Sequence, residues 1–99
     1  MKQIEKAEIV SHLLKTIANP VRLLLLCLLL DKQHNVSEML EKIDISQSAL
    51  SQHLAILKKE DIIKSQKQGK YIYYSIKDQK TIDILAFLEK TCCNADLKH

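Results

Sequence analysis

The feature that most constrains the fold is an unbroken run of apolar residues, Leu23 to Leu30, in a chain of 99 residues. A helix needs about 20 apolar residues to span a bilayer, so this run is too short to cross a membrane. A helix that is apolar around its whole circumference is instead typical of the centre of a protein core. The run therefore predicts a buried central helix that the rest of the chain must cover.

Composition narrows the fold class further. The chain has one glycine and one proline, which argues against a loop-rich or all-β fold because turns use both. Its length favours a single domain over residues 1–99. The core of so short a chain is modest, so burial of further surface by dimerisation would add stability. The first eight residues are charged and lack the apolar segment of a signal peptide. We expect a cytoplasmic protein with no membrane partner, whose three cysteines are reduced at rest.

Hydrophobic spacing predicts four helices before any strand. The first is amphipathic and runs from about Ile4 to Ala18, and the apolar run forms the second, from about Val21 to Asp31. The third begins at Ser37, a side chain suited to an N-cap. The fourth runs from its cap, Ser46, to about Lys59, with leucines on one face and polar residues on the other.

A hairpin and a last helix follow. Ile62 to Lys64 begin a strand, Gln68-Gly69-Lys70 forms the turn, and Tyr71 to Ile76 return with β-branched and aromatic residues. Asp78 caps a last helix that runs to about Cys93. That helix is apolar on more sides than one domain surface requires, which predicts a partner helix. The chain is thus predicted to be mainly α, with a hairpin between the fourth and fifth helices.

The third and fourth helices, joined by the tight connection Ile43 to Ile45, describe a helix-turn-helix. In that motif the N-terminal part of the second helix enters the major groove of DNA. Short hydroxyl and amide side chains there suit hydrogen bonds with base edges or phosphates. These side chains are Ser46, Gln47, Ser48, Ser51 and Gln52. His53 lies on the same helix, and we expect it to serve in packing or in a phosphate contact.

Positive charge is concentrated just beyond this helix. The formal net charge is only +3, yet residues 58–70 contain five lysines and two acidic residues. A basic hairpin beside a recognition helix is a wing, placed to meet phosphates or the minor groove. We therefore predict double-stranded DNA as the partner, with salt-dependent contacts from the wing and the helix end. The lysines expected to make them are Lys58, Lys64, Lys67 and Lys70.

Three stretches resemble the ArsR/SmtB family of bacterial winged-helix repressors. They are Leu14 to Leu23 (LKTIANPVRL), Ser46 to Leu54 (SQSALSQHL) and Lys67 to Tyr74 (KQGKYIYY). The resemblance implies a winged helix-turn-helix fold and an obligate homodimer built from the first and last helices. It also implies binding to an inverted-repeat operator that overlaps a promoter, with affinity lowered by an inducer or by oxidation.

The metal ligands of the family's metal sensors are missing from this sequence. Those members usually carry Asp-x-His near the start of the last helix and His-x-x-Glu further on. Here Asp78-Gln79-Lys80 matches at the aspartate alone, which a helix cap explains, and no Cys-x-Cys motif lies at the third helix. We expect no metal site of that type and no cofactor.

The cysteines match another branch of the family. Val21 to Cys27 resembles the BigR/SqrR persulfide sensors and the related HlyU regulators, which have a second cysteine near the end of the last helix. At the spacing of that branch the second cysteine is Cys93, with Cys92 beside it. The resemblance implies that a thiolate attacks a persulfide and that a second thiolate resolves the product into a di- or polysulfide bridge. Arg22 and Lys90 are candidate cations for favouring the thiolate, but the sequence does not place them beside either cysteine.

Alternatives remain for these residues. Cys27 is also explained as a small buried residue of a core helix, because free cysteine is among the most buried residue types. The three thiols also suit a soft ion such as As(III) or Cu(I), giving a repressor released by metal or metalloid.

A protein-interaction module is an alternative function for the whole chain. Enzymatic work needs a grouped nucleophile, base and orienting residue, and the histidines show no such grouping, so we predict no enzyme. They are His12, His34, His53 and His99.

Overall fold

The computed structural model describes residues 2–89. Within that range lie five helices and a three-stranded antiparallel sheet. In chain order the elements are α1 (Gln3–Ile17), α2 (Pro20–Asp31), β1 (His34–Asn35), α3 (Val36–Lys42), α4 (Gln47–Lys59), β2 (Ile63–Gln68), β3 (Tyr71–Ile76) and α5 (Gln79–Leu88). The predicted helices and hairpin are confirmed, and the predicted extension of the last helix to Cys93 lies outside the described residues.

The apolar helix α2 lies at the centre of the molecule, as its sequence predicts. Its residues Leu25 to Leu29 are all buried, and the other elements pack apolar side chains around them. Those side chains are Leu13, Ile17, Met39, Ile43, Leu50, Leu54, Leu57, Ile62, Ile63 and Leu85. Asn19 caps the helix by accepting from the backbone N–H groups of Val21 and Arg22. Pro20 occupies the first helical position, where its missing N–H leaves no bond unmade.

The start of α3 differs from the prediction, because Ser37 is not its N-cap. The cap is Asn35, whose side chain accepts from the backbone N–H of Glu38 at 2.9 Å. The Glu38 carboxylate in turn accepts from the backbone N–H of Asn35 at 2.8 Å. This capping box satisfies two backbone donors at once, whereas a serine at position 37 would satisfy one.

The sheet has the strand order β1-β3-β2. β2 and β3 pair from Ile63 opposite Ile76 to Gln68 opposite Tyr71. At the tip Gly69 has a φ of +66°, a left-handed conformation that glycine adopts without steric penalty. The two-residue strand β1 was not predicted, because a strand this short has no alternation to detect. It pairs with β3 and so joins the wing to the start of α3.

The first and last helices leave apolar side chains uncovered in the single chain. On α1, Ile9 is 47% exposed and Leu14 is 46% exposed, and on α5 Phe87 is 88% exposed. Apolar patches of this kind mark interaction surfaces. They lie on the two helices from which the predicted dimer is built. No single helix in the described range is long and apolar enough to cross a membrane. α1 and α2 together have the length and composition of a span, but the pair is bent by 97°.

Candidate nucleic-acid interface and thiol site

Helix α4 has one face toward the core and one toward solvent. Leu50, Leu54 and Leu57 are buried, and their spacing of four and three residues places them on a single stripe. The helix begins after Ser46, whose hydroxyl oxygen accepts from the backbone N–H of Ala49 at 3.1 Å. Ser46 is thus confirmed as the N-cap. Because the leucines are buried, the opposite face of α4 is the one available to another molecule.

The predicted DNA contacts of α4 lie on this exposed side. Gln47, Ser48, Ser51 and Gln52 are all exposed. Ser48 and Ser51 are three residues apart and Ser48 and Gln52 four apart, so they lie on the same face of the helix. This face offers hydroxyl and amide groups, the donors and acceptors that suit base edges and phosphates.

His53 is different, because it is partly buried at the edge of the leucine stripe. Its Nδ1 atom lies 3.4 Å from Nη1 of Arg22, which belongs to the first turn of α2. The ring therefore meets α2 and does not share the surface of the neighbouring serines and glutamines. Of the two roles predicted for His53, its contacts favour packing.

The wing carries the expected positive charge. Lys64, Lys67 and Lys70 are exposed on β2 and on the turn that follows it. The ammonium group of Lys70 lies 5.9 Å from the centre of the Tyr71 ring, within the range of a cation–π contact. Lys58, which we predicted as a DNA contact, donates through Nζ to the hydroxyl of Ser65 at 2.8 Å. It therefore ties the end of α4 to the wing.

Two polar contacts that the sequence did not reveal hold the wing and α3 in place. The side-chain amides of Gln33 and Gln68 are hydrogen-bonded to each other, at 3.1 Å for the shorter contact. His34 is buried, with Nδ1 2.8 Å from the carbonyl oxygen of Lys32 and Nε2 3.1 Å from Nζ of Lys42. Since a lysine ammonium only donates, Nε2 accepts and the proton of the neutral ring lies on Nδ1. No local pattern in the sequence indicates either contact.

The guanidinium of Arg22 makes its described contacts with α1 and α4. Its Nε donates to the carbonyl oxygen of Thr16 at 2.6 Å, and its Nη1 approaches His53. Arg22 is one of the two candidate cations for the thiolate, and its described contacts lie between α1 and α4. The second candidate cation, Lys90, lies outside the described residues.

Cys27 lies in the middle of α2 and is 4% exposed. It is disulfide-bonded, so the structure describes it in an oxidised form and not in the reduced form expected at rest. The predicted partners Cys92 and Cys93 lie outside the described residues. Within residues 2–89, no three histidine, cysteine or acidic side chains come together in a way that could hold a metal ion.

Asp78 is confirmed as the N-cap of α5. Its Oδ2 accepts from the backbone N–H of Thr81 at 3.0 Å and from the Thr81 hydroxyl at 2.7 Å. Burial raises the pKa of Asp78, but the hydrogen bonds from Thr81 and the nearby charge of Lys80 outweigh burial and lower the pKa below its usual value. The hydrogen bonding explains the aspartate as a cap without any metal.

The combination of α3, a tight turn, α4 and a basic hairpin defines a winged-helix DNA-binding protein. Residues 19–65 match the profile of the bacterial regulatory protein, arsR family. The transcriptional activator HlyU of Vibrio cholerae is 36% identical over 84 residues, which are 85% of this chain and 78% of that protein. A biofilm growth-associated repressor of Xylella fastidiosa is 33% identical over 92 residues, covering 93% of this chain and 81% of the relative.

Among solved structures, reduced HlyU from Vibrio cholerae superposes with a TM-score of 0.86 at 33% identity. The match covers 95% of this chain and 100% of the other. The chain belongs to the arsR family of bacterial regulatory proteins. It is a DNA-binding transcriptional regulator and not an enzyme, and regulators of this family bind operator DNA as dimers.

Proposed function

We propose that this regulator is a cytoplasmic homodimeric repressor, a single domain over residues 1–99, whose operator affinity falls when Cys27 is joined to Cys93 or Cys92. The observation that carries the proposal is the position of Cys27, disulfide-bonded and buried within α2. A cysteine that served packing alone would be a small buried residue with a free thiol. Engagement of its sulfur in a bond favours a redox role instead.

The packing of α2 connects Cys27 to the DNA-binding helix α4. α2 packs against α5 and also against α4, which carries the proposed base contacts. A bridge between α2 and the end of the chain acts on a helix that touches the DNA-binding helix directly. The two heads of a dimer must meet half-sites about one helical turn apart, so a small change in their orientation lowers affinity.

The chemistry needs a persulfide as oxidant. One cysteine thiolate attacks the terminal sulfane sulfur of an organic persulfide, and the organic thiolate leaves. The second thiolate then attacks the cysteine-bound sulfur of the new persulfide and expels hydrosulfide, leaving a disulfide. Two thiols are oxidised to a disulfide, and the sulfane sulfur is reduced and leaves as sulfide. A second persulfide molecule gives the polysulfide form: it converts the second cysteine to a persulfide with loss of another organic thiolate, and the terminal sulfur of that persulfide attacks the cysteine-bound sulfur of the first, forming a trisulfide and expelling hydrosulfide.

The relatives are consistent with this proposal. One is named as a repressor, and another has been solved in a form described as reduced. Repression follows if the DNA-binding form occupies an operator that overlaps a promoter. The soft-ion alternative, with Cys27, Cys92 and Cys93 as ligands, makes a different mass prediction and is separated in the same experiment.

The test measures operator affinity by fluorescence anisotropy before and after treatment of the reduced protein with an organic persulfide. We expect a loss of about tenfold or more, equivalent to roughly 1.4 kcal/mol, and intact mass should show loss of two hydrogens or added sulfur. Cys27→Ser should abolish the response, and Cys92→Ser and Cys93→Ser identify the partner. Unchanged operator affinity of the treated wild type would refute the proposal. A response to arsenite with bound metalloid would instead favour the soft-ion alternative.

A further inference from the structure

One side chain, Arg22, connects three helices. It projects from the first turn of α2, donates through Nε to the Thr16 carbonyl oxygen of α1 at 2.6 Å, and places Nη1 3.4 Å from Nδ1 of His53 on α4. Arg22 and His53 are both partly buried, so these contacts are shielded from water. A single guanidinium thus lies where the first helix, the central helix and the DNA-binding helix meet.

The Thr16 carbonyl needs this donor. In a continuous helix it would accept from the N–H four residues later, but that residue is Pro20, which has none. Arg22 supplies the missing hydrogen bond, and its positive charge lies at the negative end of the α1 dipole. The same charge lies at the positive end of α2, which is unfavourable for α2 itself. The location of Arg22 is therefore explained by α1 and α4.

The contact with Arg22 also determines the form of His53. A guanidinium has only donors, so Nδ1 of His53 must accept and the proton of the neutral ring lies on Nε2. A protonated ring would place an N–H against the guanidinium. The contact consequently requires a neutral His53 with one defined tautomer.

A second contact joins the same two outer helices. His12 of α1 contacts the carboxylate of Glu60, the residue that caps the C-terminal end of α4. His12 and Thr16 are one turn apart on α1, and the hydroxyl of Thr16 donates to the His12 carbonyl oxygen at 3.0 Å. On α4, His53 and Glu60 are about two turns apart. Helix α1 therefore meets α4 at two separated points, one through Arg22 of α2 and one through the exposed His12, and two points constrain the angle between the helices as well as their distance.

We propose that Arg22 is a positioning residue for DNA binding. Together with His53 it sets the angle of α4 against α1, one of the two helices of the dimer interface, so that both heads of the dimer fit their half-sites. The proposal rests on DNA binding by α4 and not on the thiol switch. Arg22 makes no contact with DNA itself and acts through His53.

The test compares Arg22→Met, which keeps the length of the side chain but removes its donors, with wild type on operator and on unrelated DNA. Lys15→Met, which removes an exposed positive charge from α1, is the matched control. We expect Arg22→Met to weaken operator binding about tenfold while binding to unrelated DNA and the salt dependence stay unchanged, because phosphate contacts are intact. Lys15→Met should leave operator affinity within about twofold of wild type.

A double-mutant cycle identifies the contact. Combining Arg22→Met with His53→Leu should weaken binding little more than either change alone, because both remove one interaction. Combining Arg22→Met with Lys67→Met, on the wing, should give the product of the two single effects. His53→Asn, which retains an acceptor near the position of Nδ1, should bind better than His53→Leu.

Three results would overturn the proposal. They are wild-type operator affinity for Arg22→Met, a salt slope less steep by about 1.8, which indicates one lost phosphate contact in each protomer, and multiplicative effects with His53→Leu. If Arg22→Met is poorly folded by circular dichroism, the difference between His53→Asn and His53→Leu tests the same contact from α4. Failure of the wild type to bind any DNA would refute the DNA-binding function itself, and is thus distinguishable from failure of Arg22 alone.

Discussion

Replacement of Asp78 by alanine tests how α5 is held at its N-terminus. The carboxylate accepts two hydrogen bonds from Thr81, at 2.7 and 3.0 Å, and Thr81 is completely buried. Loss of an N-cap costs about 0.5–2 kcal/mol. A buried hydroxyl left without its acceptor adds about 1–3 kcal/mol. Because both penalties come from loss of the same Asp78 carboxylate, they overlap in part, and we expect a total loss of about 2–3 kcal/mol.

The assay is urea unfolding followed by circular dichroism, with all variants at one protomer concentration because dimerisation contributes to stability. Lys80→Ala is the control, since the Lys80 side chain is 59% exposed and its ammonium lies 3.7 Å from Asp78, so its loss should cost less than about 1 kcal/mol. Asp78→Asn keeps an acceptor oxygen, so its loss of stability should lie between those of Asp78→Ala and Lys80→Ala. If Asp78→Ala and Lys80→Ala lose equal stability, the reasoning about the buried hydroxyl is wrong.

The same residue predicts a pH dependence. Its folded pKa is lowered, so the ionised carboxylate contributes stability above its unfolded pKa of about 3.9. That contribution is lost as pH falls through the lower folded pKa. The difference in unfolding free energy between wild type and Asp78→Asn should therefore shrink below about pH 4. A difference that grows on acidification would contradict the direction of the shift.

Three further predictions concern the core and the wing. Leu57→Ala, at a fully buried position of α4, should cost about 2–5 kcal/mol in urea unfolding, and a loss below 1 kcal/mol would show that the site collapses around the cavity. Gly69→Ala should lower unfolding free energy by about 1–2 kcal/mol through backbone strain alone, because nothing lies within 4 Å of the added methyl; no loss would mean the turn relaxes. Lys67→Met should reduce the steepness of log affinity against log salt by about 1.8, because a homodimer carries the change twice, and an unchanged slope would exclude a phosphate contact by Lys67.

The elements predicted well are those with long or repeated patterns. The apolar run predicted α2 and the leucine spacing predicted α4, because each pattern follows from burial of the helix's own residues. The turn at Gly69 and the β-branched and aromatic residues after it predicted the hairpin. The caps Ser46 and Asp78 followed from chemistry local to each helix start.

Two of the features that were missed depend on residues far apart in the chain. The strand β1 exists only because β3 lies beside it, and its two residues have no period of their own. Ser37 was predicted as the cap of α3, whereas Asn35 is the cap because its side chain and that of Glu38 satisfy two backbone donors reciprocally. The sequence did not place Arg22 beside any partner, and the structure places its guanidinium near His53, 31 residues away.

The burial of Cys27 has a consequence for how long a signal would persist. Cleavage of a disulfide requires a reducing thiolate to approach one sulfur in line with the bond. At 4% exposure the sulfur of Cys27 is shielded by the core, so reduction must proceed at the other sulfur or wait for a local opening of α2. Under the proposed thiol switch, a bridge that is reduced only during such an opening would outlast the inducer, and the signal would then decay at a rate set by the protein core.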